Sequence, residues 1–435
     1  MLPSTALYPL VCHWLQQLGM MTHTTALGAL AHLVTAALIA QDLTPTGLMR
    51  ALGGEQPTAA ARTRYQRVQD GLARPWLTSA KLTPGLVRAA LALISGEQVG
   101  PLAGRTVLAL DSVRLGGWEV FTLGVVWHGR ALPVAWAVLP SPLPRGRFRP
   151  TVCALVRQVA AAWPAARPAV LVADRAFPSV DLFKTLRAVG WDWSVRLTAR
   201  HYVTVGSQPQ RVRDLLEGAC PGAWTGTRGC FAGPRHGLEG TVVVGQGLVV
   251  LPRHQANPGS LRARERRLGQ RRQHAASKNQ SRTAQYDRWV ALFTSLPTVA
   301  LARASYRRRY PIEGSYRDAQ TGWDGRHGWE LGQAAARLTA PESVDRLVGL
   351  WAVAALLQCW IGHAAVQPDA PPVVQRTVRS WSVTGRLSVW ARGRFALTEP
   401  SGQLGSWLSA ALTDGAARIA PGPARHPPVA LPAVA

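Results

Sequence analysis

This sequence is short of paired cysteines, of secretory features and, above all, of acid. Its five cysteines, Cys12, Cys153, Cys220, Cys230 and Cys359, are scattered and odd in number, with no CxxC pair. That pattern excludes a zinc ribbon or a disulfide framework and points to reduced thiols. The opening MLPSTALYPLVCHW has no basic residues ahead of an apolar run, so no secretory signal is expected and the cytoplasm is the expected location. Two long apolar stretches fall short of membrane spans. The first, from Thr25, is shorter than the roughly 20 residues a span needs and contains His32; the second, from Leu347, contains Gln358 and His363. Both are expected as buried helices, with no membrane partner.

Against 49 Lys and Arg stand only 23 Asp and Glu, a formal charge of +26. A field of that size attracts polyanions, with nucleic acid first and an anionic membrane surface second; an arginine-rich compositional bias is the alternative without function. The 47% hydrophobic content over 435 residues supports two or three domains with substantial cores.

The spacing of apolar residues changes along the chain. Residues 1–100 read as helical, and their stretch AARTRYQRVQDGLARP suits either DNA or a solvated helix face. From Arg105 the pattern turns to β, with TVLALDSV, WEVFTLGVVWHG and ALPVAWAVL, the last two joined by a hairpin signal at His128, Gly129 and Arg130. Helix and strand then alternate through TVCALVRQVAAAW, PAVLVAD, SVDLFKTLRAVG and WDWSVRLT. The expectation is an α/β domain with a mixed sheet. Between about Ala199 and Leu296 lie short β runs and the basic segment LRARERRLGQRRQHAASKNQSR, read as an insertion. Helices return after Glu313, and residues 421–435 read as a disordered tail.

With so few acids, their positions matter. Asp111 closes TVLAL and Asp174 closes AVLVA, so both are expected at strand carboxyl ends, facing the crevice where open sheets bind ligands. Capping a following helix is the structural alternative for either one. Glu313 is the third candidate. On a helical wheel Tyr306, Arg309, Arg317 and Gln320 fall within about 40° of it, although Pro311 kinks that helix or begins a new one. Three carboxylates without a Cys or His cluster suit a hard divalent ion, Mg²⁺ or Mn²⁺, and a pair of such ions suits in-line phosphoryl displacement. A surface salt bridge is the plain alternative for Glu313.

The run Tyr306, Arg309, Glu313 resembles the signature of the DDE transposases of bacterial insertion sequences, in the group named for Tyr, Arg, Glu and Lys (insertion sequence four family). The spacing fits, with Gln320 standing where that family has lysine. Asp174–Arg175 in VADRAF resembles the second-aspartate motif and Asp111 in LALDSV the first. The interval from Asp174 to Glu313 is about twice that from Asp111 to Asp174, in keeping with family members that carry a β insertion before the glutamate. Trp289, in WVALFTSLP, is similar to a tryptophan that stacks on a flipped base, with a core strand residue as the alternative.

The resemblance covers roughly residues 100 to 365. It implies a ribonuclease-H-like catalytic domain formed by residues 101–198 and 298–340 around a β-rich basic insertion at 199–297. A helical DNA-binding region at 1–100 and a helical region at 341–420 flank it. It further implies that Asp111, Asp174 and Glu313 are catalytic and bind two Mg²⁺ or Mn²⁺ ions, and that Tyr306, Arg309, Arg317, Gln320, Arg175 and Trp289 contact DNA. The implied partners are double-stranded transposon terminal inverted repeats, target DNA and a second copy of the chain in a homodimer. The competing readings are a catalytically decayed or repurposed transposase that only binds DNA, supported by Gln320, and a structure-selective nuclease.

Overall fold

The computed structural model describes residues 4–20, 23–52, 60–94, 102, 104–218, 223–246, 289–320, 329–367, 370–380, 389–398, 407–408 and 410. The basic segment from Leu261 to Arg282, Cys220 and the expected tail at 421–435 lie outside the described residues.

Five helices come first: α1 (Ser4–Gln17), α2 (Thr24–Ala40), α3 (Pro45–Leu52), α4 (Ala61–Ala73) and α5 (Ser79–Ile94). Strands β1 (Thr106–Leu115), β2 (Trp118–Trp127) and β3 (Arg130–Pro140) follow. The turn between β2 and β3 uses His128 and Gly129, both at positive φ, 41° and 77°, as a two-residue hairpin connection requires. Next come α6 (Phe148–Ala162), β4 (Ala169–Ala173), α7 (Val180–Ala188) and β5 (Asp192–Leu197). The chain continues through β6 (Tyr202–Val205), β7 (Gln208–Arg211), α8 (Val212–Glu217), β8 (Trp224–Phe231), β9 (Glu239–Gln246) and β10 (Trp289–Thr294). It ends in α9 (Val299–Arg307), α10 (Pro311–Gln320), α11 (Leu331–Ala336), α12 (Pro341–Ala364), α13 (Pro372–Ser380) and α14 (Val389–Thr398).

The architecture is mixed α/β. One sheet carries the ten strands in the order β3-β2-β1-β4-β5-β10-β9-β8-β6-β7. Only β4 runs parallel to its neighbours, with Leu110 opposite Ala173 on the β1 side and Ala173 opposite Val195 on the β5 side. The sequence explains this. AVLVA in β4 is buried at every position, as a strand covered on both faces must be, and helices before and after it make the long connections that parallel pairing needs. The β-rich stretch after Ala199 extends the same sheet, since β10 pairs with β5 on one side and β9 on the other.

By packing, the chain divides into two compact units: Met1–Glu97, Leu132–Ala135 and Arg317–Ala435 in one, Gln98–Ala131 and Trp136–Tyr316 in the other. The second holds the sheet apart from Leu132–Ala135 of β3. The first is helical, and its central element is α12. This is the one single helix among the described residues long and apolar enough to cross a membrane, and 89% of its apolar window is buried inside the protein. It packs against α2, α5 and α14. The apolar run from Thr25 is α2, bent by 98° into α3.

Glycine makes the α12–α14 contact close. A Cβ on Gly362 would sit 1.8 Å from the Val389 carbonyl oxygen, and one on Gly393 1.8 Å from that of Gln358. Main chain cannot yield as a flexible side chain can, so Gly362→Ala is expected to destabilise the protein by about 3 kcal/mol. Thermal denaturation checks this, and an unchanged midpoint would mean that the two helices part freely. Beside that contact the buried amide of Gln358 donates to Trp390 O at 3.1 Å and accepts from Gln41 Nε2 at 2.8 Å. Gln41 in turn accepts from the Trp329 indole at 2.9 Å, so every member of this buried chain has a partner.

Candidate functional site

Strand register brings the two aspartates together. Leu110 pairs with Ala173 at the last rung of the parallel β1–β4 ladder, and Asp111 and Asp174 are the next residues on each strand. Asp174 leaves its strand there, as the sequence leads one to expect. Asp111 does not: β1 runs on to Leu115, with Asp111 opposite Thr122 of β2. Its exposure nevertheless begins at that residue. The strand is buried from Thr106 through Leu110 and half-exposed from Asp111 through Val113, because β4 stops covering it.

The signature residues reach the aspartates from two helices instead of one. α9 begins at an N-cap, where Thr298 Oγ1 accepts from the Leu301 amide at 3.2 Å, and it ends at Arg307. α10 starts at Pro311, a residue suited to the first helical position, where no amide hydrogen is needed. The expected continuous face through Tyr306, Arg309, Glu313, Arg317 and Gln320 is therefore broken at 308–310. The proline is the reason. Ser315 fixes the new helix by bonding both the amide and the carbonyl of Ala131, each at 2.9 Å. Tyr316, buried, donates to the Asp111 carbonyl at 3.1 Å.

Arg309 stands at the centre. It is 5% exposed, and its guanidinium donates from Nη1 to Asp111 Oδ2 at 3.0 Å and from Nη2 to Glu313 Oε1. Its Nε is buried without a partner, and its Cζ lies 5.2 Å from the Tyr310 ring centroid. Burial works against the charge, but Tyr306, Asp174, Asp111 and Glu313 around it hold the guanidinium protonated, above its ordinary value. Tyr306, 1% exposed and packed with Val243, Val290, Leu292 and Ala302, directs its hydroxyl at Asp174 Oδ1 over a long 3.4 Å. Burial pushes its pKa up.

Asp111 is the perturbed carboxylate. Desolvation raises it to about 6 against the opposing pull of Arg309 and of the Ser112 amide, and Asp174 and Glu313 push it further the same way. Glu313 lies in the first turn of α10 with its side chain 55% exposed. An acid there is favoured by the helix dipole.

Arg175 follows Asp174 and is exposed. Trp289 opens β10 opposite Gln246. Arg317 and Gln320 belong by packing to the helical unit. Sequence reasoning missed Arg196 on β5, which the register sets beside Asp174 and whose Nη1 is 3.9 Å from Asp174 Oδ1. A single cation inside the apolar strand WSVRL was the available signal.

All three candidate ligands offer oxygen, which suits a hard divalent cation. Yet among the described residues no group of three or more His, Cys, Asp or Glu is drawn together closely enough to hold one; Arg309 fills the space between Asp111 and Glu313. The donor chemistry fits Mg²⁺ or Mn²⁺, and the arginine would have to give way. No family model matches this chain, and a search of curated proteins finds no relative.

Proposed function

We propose that this protein is a DNA transposase with a ribonuclease-H-like catalytic domain, which cleaves transposon ends and joins them to target DNA by phosphoryl transfer. The observation that carries the reading is that Tyr306 reaches Asp174 while Arg309 links Asp111 to Glu313, one residue beyond the last shared rung of two adjacent parallel strands. Residues far apart in sequence meet there, in the order the resemblance calls for.

Asp111, Asp174 and Glu313 would hold two Mg²⁺ or Mn²⁺ ions, which when bound activate a water or a 3′-hydroxyl and stabilise the leaving oxygen. Tyr306 orients Asp174, and Arg196 balances its charge. Arg309, once released from the carboxylates, is placed to hold a phosphate by two parallel hydrogen bonds. Arg175, Arg317 and Gln320 contact the backbone of the double-stranded end, Trp289 stacks on a flipped base, and a homodimer pairs two ends. Gln320→Lys is expected to tighten end binding and to steepen its salt dependence by about one unit of slope, read by anisotropy across a KCl series.

A second reading, a decayed or repurposed copy that only binds DNA, is favoured by Arg309 occupying the carboxylates and by Gln320. Incubating the purified protein with Mg²⁺ and labelled duplexes carrying the element's ends separates the two. Nicking at the ends supports the transposase, binding without nicking the second reading, and cutting of branched DNA regardless of end sequence a nuclease.

A further inference from the structure

The helical unit carries one element with very little inside the protein. Of the residues of α4, only Val68 and Gly71 are buried, and Gly71 lets the helix lie tight on α2, since a Cβ there would come 2.9 Å from Leu33 Cδ1. A surface helix ordinarily buries a wider stripe. At its far end Arg346 of α12 donates to the Leu72 and Ala73 carbonyls at 3.2 and 2.8 Å, which holds the helix in place without covering its outer side.

That outer side has a definite composition. Arg62, Tyr65, Gln66 and Gln69 fall within roughly one third of the helix circumference at 100° per residue. Arg62, Tyr65 and Gln66 are exposed, with Tyr65 at 41% among the few large exposed hydrophobic residues described. Tyr65 bonds Gln69 at 3.1 Å and Gln66 bonds Asp70 at 2.9 Å, so the two amides are ordered along the surface. Exposed Arg67 and Arg74 flank them, and Asp70 is the helix's one acid. Arginine and paired amides are the side chains that match base edges in a major groove. Apart from Tyr65 the face has no apolar group to enter a lipid surface.

We infer that α4 is the protein's duplex-reading helix, with Arg62, Gln66 and Gln69 facing base edges and Arg67 and Arg74 on flanking phosphates. The inference rests on the duplex-DNA part of the reading above and not on cleavage. The experiment selects duplexes from a random pool of about 20 base pairs with the full chain, then measures anisotropy across a KCl series. Arg62→Ala combined with Arg67→Ala is expected to weaken binding of the selected duplex about tenfold or more and, through the lost Arg67 phosphate contact, to lower the salt slope by about one. Gln66→Ala with Gln69→Ala is expected to cut discrimination against a scrambled duplex about tenfold and to leave scrambled binding unchanged. Melting curves of both variants should match the parent, because these side chains are largely outside the core. A selected duplex bound equally well and with the same slope by the arginine variant overturns the inference and spares the DNA reading. So does a loss confined to phosphatidylserine vesicles. If no duplex is enriched, both fall together.

Discussion

Arg309→Gln is expected to lower stability by about 3 kcal/mol at pH 7.5 in metal-free buffer, because it leaves two carboxylates facing a third without their shared cation. Asp111 is partly desolvated and already shifted upward with the arginine in place. Without it the carboxyl takes up a proton still more readily. The sign of the pH dependence follows. A carboxyl whose folded-state pKa lies above its unfolded value favours folding when protonated, so the variant's deficit should be smallest near pH 4 and grow as pH rises through 6 and beyond. Millimolar Mg²⁺ should restore part of the loss at pH 7.5, since a divalent ion can take the guanidinium's place between the same oxygens. Differential scanning calorimetry at three pH values, with and without Mg²⁺, reads all of this. A variant as stable as the parent would mean that the two ion pairs contribute nothing. Loss of stability with no response to Mg²⁺ would argue for the reading in which the protein only binds DNA.

Asp111→Asn, Asp174→Asn and Glu313→Gln are each expected to reduce strand cleavage by about 10³-fold or more, since a metal ion supplies several kcal/mol of transition-state stabilisation and each 1.36 kcal/mol is a factor of ten. Binding of transposon ends should survive nearly intact, because each change removes negative charge from a protein that carries +26. The assay is nicking of end-labelled duplex in Mg²⁺ beside anisotropy on the same duplex. Cleavage retained by any one variant removes that residue from the reacting centre. Stability serves as the internal control: Asp111→Asn also removes a partner of buried Arg309, so its melting midpoint separates loss of fold from loss of chemistry.

Much of the sheet-bearing unit was legible in the sequence because its signals are local. The hairpin at His128–Gly129, the fully buried run of β4 and the alternation from α6 to β5 are written in neighbouring residues. Arg309 and Glu313 do pair, but Arg309 sits in the break between α9 and α10 and not on the continuous helix that the wheel assumed. What escaped depends on partners far away. Asp111 lies within a strand and not at its end, because β2 continues beside β1 after β4 stops. Arg196 becomes a neighbour of Asp174 only through the parallel register of β4 and β5. The contact of Arg309 with Asp111 spans the whole β-rich region between them, and no helical wheel contains it.

The helical unit has a consequence for how the protein is made. Its core joins α2 and α5 to α12 and α14, so the first helices to leave the ribosome wait for a partner that is synthesised after the entire sheet. α1, α3 and α4 can cover part of α2 early, but the side that packs on α12 stays open until that helix arrives, and contacts of such long sequence separation form slowly. A chain cut short before Pro341 would therefore expose the α12-facing side of α2 and be open to aggregation and proteolysis. The surface of α4 would come into its final form only on a complete molecule.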